Sequence, residues 1–324
     1  LSNRKADMKL FLDVVEIEKQ KNNQPIVVPT SFQLNQHHKL AFIGETGSGK
    51  STLLKMIAGW EEPSAGNAYF KEIPVWKKLE KLLPGEKGIA YLSQHFELRN
   101  NYTVTEIVHF DNKLSIDEAD KIYRICDIEH LLKRKTHELS GGEKQRIAIA
   151  RLLIGKPELL ILDEPYTNLD KFHKKQMQDL IDAICYQLGI TCLLVSHDAA
   201  DILSWAHEIY VMQNGAIVQK GNPETIYNYP QNEYVAGLLG SYTVIPNSWL
   251  NNKTNDTASS IVRPEKIKLQ KLNNEVSRIG RITKQKYLGY GYEYSLICNK
   301  VNIIAFNTKP DFVVGEEVHV LFDL

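Results

Sequence analysis

The stretch KLAFIGETGSGKSTLLKMIAG, residues 39–59, joins a short apolar run to a segment with helical spacing through a glycine-rich turn. Its centre fits the pattern G-x-x-x-x-G-K-[ST], which between a strand and a helix is a phosphate-binding loop. Glycines there let successive backbone N–H groups curl around phosphate oxygens, and the start of the helix adds positive partial charge. We therefore predict that a nucleotide is held by Gly44, Glu45, Thr46, Gly47, Ser48, Gly49, Lys50, Ser51 and Thr52.

A second motif, LLILDEP at residues 159–165, ends an apolar run with two adjacent acids. In the phosphate-binding pattern Lys50 neutralises the β- and γ-phosphates, and the Ser51 hydroxyl helps to hold Mg²⁺. Asp163, at the end of a presumed buried strand, is placed to hold the hydration shell of the same ion, and Glu164 is placed to polarise an attacking water. Taken alone, adjacent acids are more often a strand end and a helix cap. Beside a phosphate-binding loop, the catalytic interpretation is favoured.

Polar residues also end two further apolar runs, GIAYLSQ at residues 88–94 and CLLVSH at residues 192–197. Continuous apolar runs that alternate with helical segments are typical of parallel strands buried on both faces, so we predict an α/β fold. Ligands bind at the carboxyl ends of such strands, which makes Gln94 and His197 candidate site residues. Without that setting, either residue would more often be an ordinary polar side chain at a strand end.

The stretch LSGGEKQR, residues 139–146, precedes a second helical segment and offers another anion-ready helix start. A single phosphate-binding loop has no need of a second one about ninety residues later. The economical solution is that LSGGE meets a nucleotide bound by a second copy of the chain. Two copies, arranged head to tail, would then sandwich two ATP molecules.

The order of these motifs resembles that of the nucleotide-binding subunits of ABC transporters, over about residues 9–230. The resemblance implies that the signature loop contributes Ser140, Gly141 and Gly142 to the partner's nucleotide. It also implies that Asp170, in the sequence NLD, crosses the dimer interface.

The remaining motif residues of the family are matched as well. The resemblance implies that Gln94 couples Mg²⁺ to the membrane subunit, and that His197 contacts the γ-phosphate bound by its own chain. The implied fold is a P-loop NTPase with a RecA-like core and antiparallel β and α-helical subdomains. We predict the helical subdomain at about residues 95–139, with its clearest amphipathic stretch at residues 115–134.

The chain changes character after about residue 240, where short strand-like runs follow a polar linker at about residues 251–260. These runs resemble the small OB-like β-barrel, called TOBE, that is appended to many importer ATPases. We therefore predict an ABC-type nucleotide-binding domain at residues 1–240 and a TOBE-like β domain at residues 241–324.

Composition limits the possible partners of the 324-residue chain. Lys and Arg together number 39, as do Asp and Glu, so no net charge attracts nucleic acid. The resemblance implies ATP and Mg²⁺ as cofactors, a homodimer, two transmembrane permease subunits and a substrate-binding protein. It implies a location at the cytoplasmic face of the membrane. The alternatives are an exporter subunit, a soluble ABC ATPase without a transport role and a P-loop phosphotransferase.

Overall fold

The structure is a computed structural model that describes residues 10–77, 85–94, 98–110, 112, 114–250, 259–272 and 278–323. The chain forms two compact units, Leu1–Pro223 and Glu224–Leu324. Residues 95–97 at the start of the predicted helical subdomain, and residues 251–258 of the predicted linker, lie outside the described residues.

The elements of the first unit follow the predicted alternation of strands and helices. Its strands are β1 (Leu12–Lys21), β2 (Gln24–Leu34), β3 (Lys39–Ile43), β4 (Ala65–Phe70), β5 (Ile73–Pro74), β6 (Ile89–Leu92), β7 (Leu159–Asp163), β8 (Thr191–Val195), β9 (Glu208–Gln213) and β10 (Ala216–Gly221). Its helices are α1 (Lys50–Ile57), α2 (Val104–His109), α3 (Ile116–Ile125), α4 (Gly141–Ile154), α5 (Lys171–Gln187) and α6 (Ala199–Leu203), with 3₁₀ turns at Glu129–Leu131 and Thr136–Glu138.

The main sheet has the strand order β10-β9-β3-β8-β7-β6, and all neighbours are parallel except β9 and β10. Every residue of β7 and β8 is buried, which explains why both strands are continuous apolar runs. Their carboxyl ends meet at the edge where β3 runs into the glycine-rich loop. The predicted α/β fold is confirmed.

A second sheet, with the order β2-β1-β4-β5, is antiparallel throughout. It forms the antiparallel β part that the family resemblance implied. Apolar residues of this sheet, of β3 and of α1 pack into one core, which fixes the strand before the phosphate-binding loop and the helix after it.

The helical subdomain is more broken than the sequence pattern suggested. Capping boxes start α2, α3 and α4, in which Thr103, Ser115 and Ser140 each pair with a glutamate three residues on. The amphipathic stretch at residues 115–134 does not form one helix: α3 ends at Ile125, since Asp127 adopts a left-handed conformation with φ of 50°.

The second unit is mostly antiparallel β structure, in agreement with a small β domain. It contains α7 (Pro223–Asn228), α8 (Glu233–Leu239), β11 (Thr243–Pro246), β12 (Ser259–Val262), β13 (Ile267–Lys271), β14 (Arg278–Tyr287), β15 (Tyr292–Cys298), β16 (Val301–Asn307) and β17 (Glu317–Phe322), with 3₁₀ turns at Asn247–Trp249 and Pro264–Lys266. Five strands form a sheet in the order β13-β17-β14-β15-β16, while β11 pairs with β12. Closure of this sheet into a barrel stays a prediction.

The division between the units falls at residue 223 rather than at 240. One buried side chain joins residues 227–241 to the region that follows them. Arg263 is buried and donates to the carbonyl oxygens of Tyr227 at 2.9 Å, Ala236 at 2.9 Å, Gly240 at 3.1 Å and Ser241 at 3.1 Å. The segment that carries α7 and α8 is therefore fastened to the second unit.

Among the described residues, no helix has the length and apolar character of a membrane span.

Candidate functional site: a nucleotide-binding edge of the main sheet

The phosphate-binding loop lies between β3 and α1, as the sequence predicted. Lys50 begins α1, and its side chain is buried within the curve of the loop. Its Nζ donates to the carbonyl oxygens of Gly44 at 2.7 Å and Glu45 at 2.8 Å, and to Ser48 Oγ at 3.1 Å. Burial lowers the pKa of the Lys50 ammonium, against the opposing effect of the Glu164 and Asp163 carboxylates. The positive charge of the Lys50 ammonium is thus held inside the loop, in a small and partly desolvated space.

Two glycines show why the loop requires this residue type. Gly49 has φ of 96°, and a Cβ there would stand 2.6 Å from the Ile26 carbonyl oxygen. Gly47 has φ of 85°, but no described atom lies within 4 Å of its Cβ position. The loop is therefore tight against β2 at Gly49 and open at Gly47, where a phosphate can approach the backbone.

The turn between β9 and β10 supports the loop from one side. Asn214 and Gly215 both have positive φ, as a two-residue hairpin turn requires. The Gly215 N–H donates to the Ser48 carbonyl oxygen at 3.1 Å, and the Gly215 carbonyl oxygen accepts from Val28 N at 3.1 Å. The hairpin thus links the phosphate-binding loop to β2.

Asp163 ends β7 and is buried beside the start of α1. Its two carboxylate oxygens accept hydrogen bonds from Ser51 Oγ at 2.9 Å and from the Tyr91 hydroxyl at 2.9 Å. Burial raises the pKa of Asp163, although both hydrogen bonds favour its charged form. The sequence assigned Ser51 and Asp163 to one Mg²⁺ ion, but it did not indicate the contribution of Tyr91. The available signal was its position in YLSQ, on the strand that pairs with β7.

Glu164 is the point at which the predicted residues converge. Its Oε2 lies 3.3 Å from Gln94 Nε2, 3.3 Å from His197 Nδ1 and 3.0 Å from Thr167 Oγ1. Its backbone has φ of 50°, a left-handed conformation that is rare for a residue with a side chain, and its N–H donates to the Val195 carbonyl oxygen at 3.0 Å. Sequence reasoning missed Thr167, whose only signal was its position three residues after Glu164.

The signature loop caps the helix that it precedes. Ser140 N donates to Glu143 Oε2 at 2.7 Å, and Glu143 N donates to Ser140 Oγ at 3.3 Å, so the first N–H groups of α4 are partly satisfied locally. Beside Gly141 no described atom lies within 4 Å of the Cβ position. A Cβ on Gly142 would stand 3.2 Å from the His173 ring. The loop therefore presents an open backbone surface.

Asp170 acts as the N-cap of α5. Its Oδ1 accepts from the backbone N–H groups of Phe172 and His173, both at 2.9 Å, and its Oδ2 lies 2.7 Å from His173 Nδ1. These hydrogen bonds lower the pKa of Asp170. The contacts described for Ser140 and Asp170 thus remain within their own loops, whereas those of Asp163 and Glu164 link several elements.

The donor set beside Lys50 is suited to magnesium. Ser51, Asp163 and Gln94 carry the hard oxygen atoms that Mg²⁺ prefers, and the Ser51–Asp163 hydrogen bond shows that two of them already meet. The described residues contain no group of three or more His, Cys, Asp or Glu side chains arranged for a metal.

Comparison with known proteins identifies the family of the chain. The family described as ABC transporter matches residues 27–167. The spermidine/putrescine import ATP-binding protein PotA of Clostridium acetobutylicum is 30% identical, over 93% of this chain and 91% of its own. PotA of Bacillus cereus is 31% identical, over 97% of both chains. The glucose import ATP-binding protein GlcV of Saccharolobus solfataricus is 33% identical, over 74% of both.

Solved structures show the same fold for the larger unit. CbiO1 from Clostridium perfringens, described as part of the ABC transporter complex cbiONQ, is 27% identical with a TM-score of 0.59, over 67% of this chain and 90% of its own. The ATP-binding cassette MJ1267 in its ADP conformation is 24% identical with a TM-score of 0.59, over 71% of this chain and 98% of its own. With sequence similarity to the PotA proteins that spans more than nine tenths of each chain, the protein belongs to the ATP-binding subunits of importer-type ABC transporters and is an ATPase.

Proposed function

We propose that two copies of this chain, head to tail, bind and hydrolyse two ATP molecules and so power solute import through a pair of permease subunits. The convergence of Gln94, Thr167 and His197 on one oxygen of Glu164 carries the proposal. These three contacts support a role for Glu164 as a carboxylate held in one orientation.

Nucleotide binding is assigned to the phosphate-binding loop and its surroundings. Lys50 exchanges its contacts with loop oxygens for the β- and γ-phosphates, while the backbone N–H groups near Gly47 cradle phosphate oxygens. Ser51, Asp163 and Gln94 would hold Mg²⁺. When bound, the ion neutralises phosphate charge and helps to orient the phosphates for attack.

Hydrolysis is assigned to Glu164, with His197 beside it. The side-chain contacts described for Glu164 all use Oε2, so Oε1 is the atom that we assign to take the proton of the attacking water. His197 approaches Glu164 through Nδ1, which leaves Nε2 for the γ-phosphate. Gln94 belongs to both the donor set and the Glu164 cluster, so a movement of its loop would alter both.

The signature loop is assigned to the nucleotide of the second copy. Ser140, Gly141 and Gly142 stand at the start of α4, where the helix dipole favours an anion. Asp170 is held at the start of α5 next to the His173 ring that lies against Gly142. The signature loop and the loop that carries Asp170 are thus neighbours, and together they form the face that we assign to the dimer interface.

The permease partner is assigned to a groove in the first unit. A cavity of about 450 Å³ is bordered by Trp60, Tyr91, Ile107 and Arg151, which come from the main sheet side and from the helical subdomain. Trp60 is 53% exposed, a high value for so large an apolar side chain. A short helix from the cytoplasmic side of a transmembrane subunit fits this description. The subunit would then be peripheral at that face of the membrane, and a substrate-binding protein would complete the importer.

The cargo is not set by the features described here. Relatives of similar identity are named for spermidine and putrescine and for glucose. The nucleotide site has no part in binding a polyamine or a sugar, so we assign cargo selection to the permease and the binding protein. Nucleic acid is an unsuitable partner for a chain with no net charge.

Mixing two inactive variants tests the shared site. Lys50→Ala spoils a phosphate-binding loop, and Ser140→Arg spoils a signature loop. A heterodimer of the two contains one doubly damaged site and one intact site, so the mixture should recover part of the ATPase activity that each variant lacks. The control mixture, Lys50→Ala with the double variant, contains no intact site and should stay inactive. Absence of recovery in heterodimers isolated with two affinity tags would favour either a signature loop that serves its own chain or a requirement for two intact sites.

A further inference from the structure

A pair of thiols has no part in the nucleotide motifs. Cys185, in the last turn of α5, and Cys192, in β8, have their Sγ atoms 2.9 Å apart. A turn that includes Gly189, with φ of 65°, brings the two elements together. Both cysteines are free. The sulfur atoms of a disulfide are about 2.05 Å apart, so less than about 1 Å of movement separates this pair from a covalent bond.

We propose that Cys185 and Cys192 form a modification site, in which a peroxide or a low-molecular-weight disulfide converts the two thiols reversibly into an intramolecular disulfide. The pair is reduced at rest, which fits a chain whose cysteines have no pattern of a permanent disulfide framework. The site is independent of the transport proposal, because neither sulfur belongs to a nucleotide motif.

The environments of the two sulfurs differ and assign their order of reaction. Cys185 is partly exposed, whereas Cys192 is fully buried. The hydrogen bond from Cys185, together with burial, raises the pKa of the Cys192 thiol well above its ordinary value. Cys185 is therefore the thiol that meets the oxidant, and Cys192 is the neighbour that resolves the product.

These roles define the steps of the reaction with a peroxide. The Cys185 thiolate attacks one peroxide oxygen, the O–O bond breaks, and the departing hydroxide takes a proton to become water. Cys192 then gives up its proton and attacks the Cys185 sulfenic acid sulfur. The S–O bond breaks and a second water leaves, so two thiols have passed two electrons to one peroxide. Reduction by an excess of a small dithiol reverses the change.

The loop that follows the catalytic strand contains a buried tyrosine. The Tyr166 hydroxyl is buried and, in the described part of the chain, has no hydrogen-bond partner. Burial, the carboxylates of Asp201 and Asp182, and then the two cysteines raise its pKa well above the usual range. Tyr166 stands between Glu164 and Thr167 in the sequence. Closure of the disulfide would fasten the last turn of α5 to β8.

The other two cysteines provide matched controls. Cys126 and Cys298 are also buried, and burial raises the pKa of both, to about 12 for Cys126. No cysteine neighbour is described for either. The full chain carrying Cys126→Ser and Cys298→Ser retains only the proposed pair, so all loss of thiol on oxidation reports on that pair.

The test treats this double variant with hydrogen peroxide and then alkylates the remaining thiols under denaturing conditions. We expect loss of both alkylatable thiols, with no covalent dimer, and full recovery after dithiothreitol. Chymotrypsin cleaves after Tyr186, between the two cysteines, so the peptides on either side should stay joined until reduction. The oxidised chain should also unfold at a higher temperature, since the bond restricts the unfolded state.

Replacement of one thiol distinguishes the proposal from simple oxidation. With Cys192→Ser added, Cys185 should proceed to sulfinic acid, the joined peptides should be absent and the thermal midpoint should not rise. With Cys185→Ser added instead, buried Cys192 should remain alkylatable after the same treatment. Two intact thiols, sulfinic acid at Cys185 despite an available Cys192, or a disulfide between chains would each overturn the proposal.

Discussion

At the scale of single residues, the strongest feature is a carboxylate oxygen shared by three neighbours. Sequence motifs predicted Glu164, Gln94 and His197 because each ends an apolar strand, and such ends share one edge of a parallel sheet. Thr167 and Tyr91 could not be predicted in the same way. Thr167 reaches Glu164 only because the chain turns back at φ of 50°, and Tyr91 reaches Asp163 only through the pairing of β6 with β7. A short sequence motif specifies neither a local turn of the backbone nor the register of two paired strands.

Glu164→Gln should retain ATP binding and lose most hydrolysis. The amide keeps the size of the side chain but cannot accept the proton of the attacking water, and loss of a general base costs on the order of 10²–10⁴ in rate. ATP should then accumulate in a dimer that is visible by size-exclusion chromatography. Near-normal hydrolysis, or a monomer at saturating ATP, would show that Glu164 is not the general base.

Thr167→Val tests whether the neighbour of Glu164 positions the base. Valine keeps the shape of threonine but lacks the hydroxyl that donates to Glu164 Oε2 at 3.0 Å. Loss of one such hydrogen bond is worth roughly 1 kcal/mol, or about fivefold in kcat. The KM for ATP should be unchanged, and Thr167→Ser should restore the rate. A rise in KM with unchanged kcat would instead show a contribution to binding.

At the scale of elements, an ionic network fixes α5 against the segment that follows β8. Lys174 Nζ lies 2.8 Å from Asp198 Oδ2 and 2.6 Å from Asp201 Oδ1. The Asp201 side chain is buried, and it also accepts a hydrogen bond from Ser196 Oγ at 2.8 Å. Ser196 and Asp198 flank His197, so the network orients the chain on both sides of that residue.

Lys174→Met should destabilise the first unit substantially, because it leaves the buried Asp201 carboxylate without its cation. Breaking one partner out of a buried pair costs about 3 kcal/mol. The matched control is Lys175→Met, which removes an exposed pair with Asp179 and should change the free energy of unfolding by less than about 1 kcal/mol. Urea unfolding of the variants measures both values. Equal effects from the two substitutions would show that burial of Asp201 does not govern this network.

Sequence periodicity predicted elements unevenly. The strands of the main sheet were predictable because burial on both faces leaves an uninterrupted apolar run, as in β7 and β8. The region from residue 115 to 134 kept an amphipathic pattern beyond the end of α3, since the 3₁₀ turn at Glu129–Leu131 buries Leu131 on the same side of the subdomain. Periodicity indicates which residues are buried but not where a helix ends. The end of α3 is marked instead by the left-handed backbone conformation of Asp127.

At the scale of the whole molecule, the two units divide before α7. The change in sequence character near residue 240 marked where the strands begin, not where the unit begins. Hydrogen bonds within the second unit join Arg263 to carbonyl groups 22 to 36 residues earlier. No local pattern indicates which segment a distant arginine will hold.

Two truncations test this boundary. A chain that ends at Asn222 contains every nucleotide motif and should fold and bind ATP like the full protein. A chain that ends at Gly240 retains α7 and α8 but lacks Arg263 and the rest of the second unit. Apolar residues of α8 such as Val235 and Leu239, which are buried in the full chain, would then become more exposed. It should bind a fluorescent hydrophobic dye more strongly and aggregate sooner. Better behaviour of the longer chain would place α7 and α8 with the first unit.

The division at residue 223 also has an evolutionary consequence. The solved ATP-binding cassette MJ1267 matches over 98% of its own length but only 71% of this chain, so a chain of this fold has been solved without a counterpart to the rest of this one. A recombination event in the gene at the codons before α7 would interrupt neither hydrophobic core. Lineages could therefore exchange or lose the smaller unit while they inherit the ATPase unchanged, and family trees built from the two parts need not have the same branches.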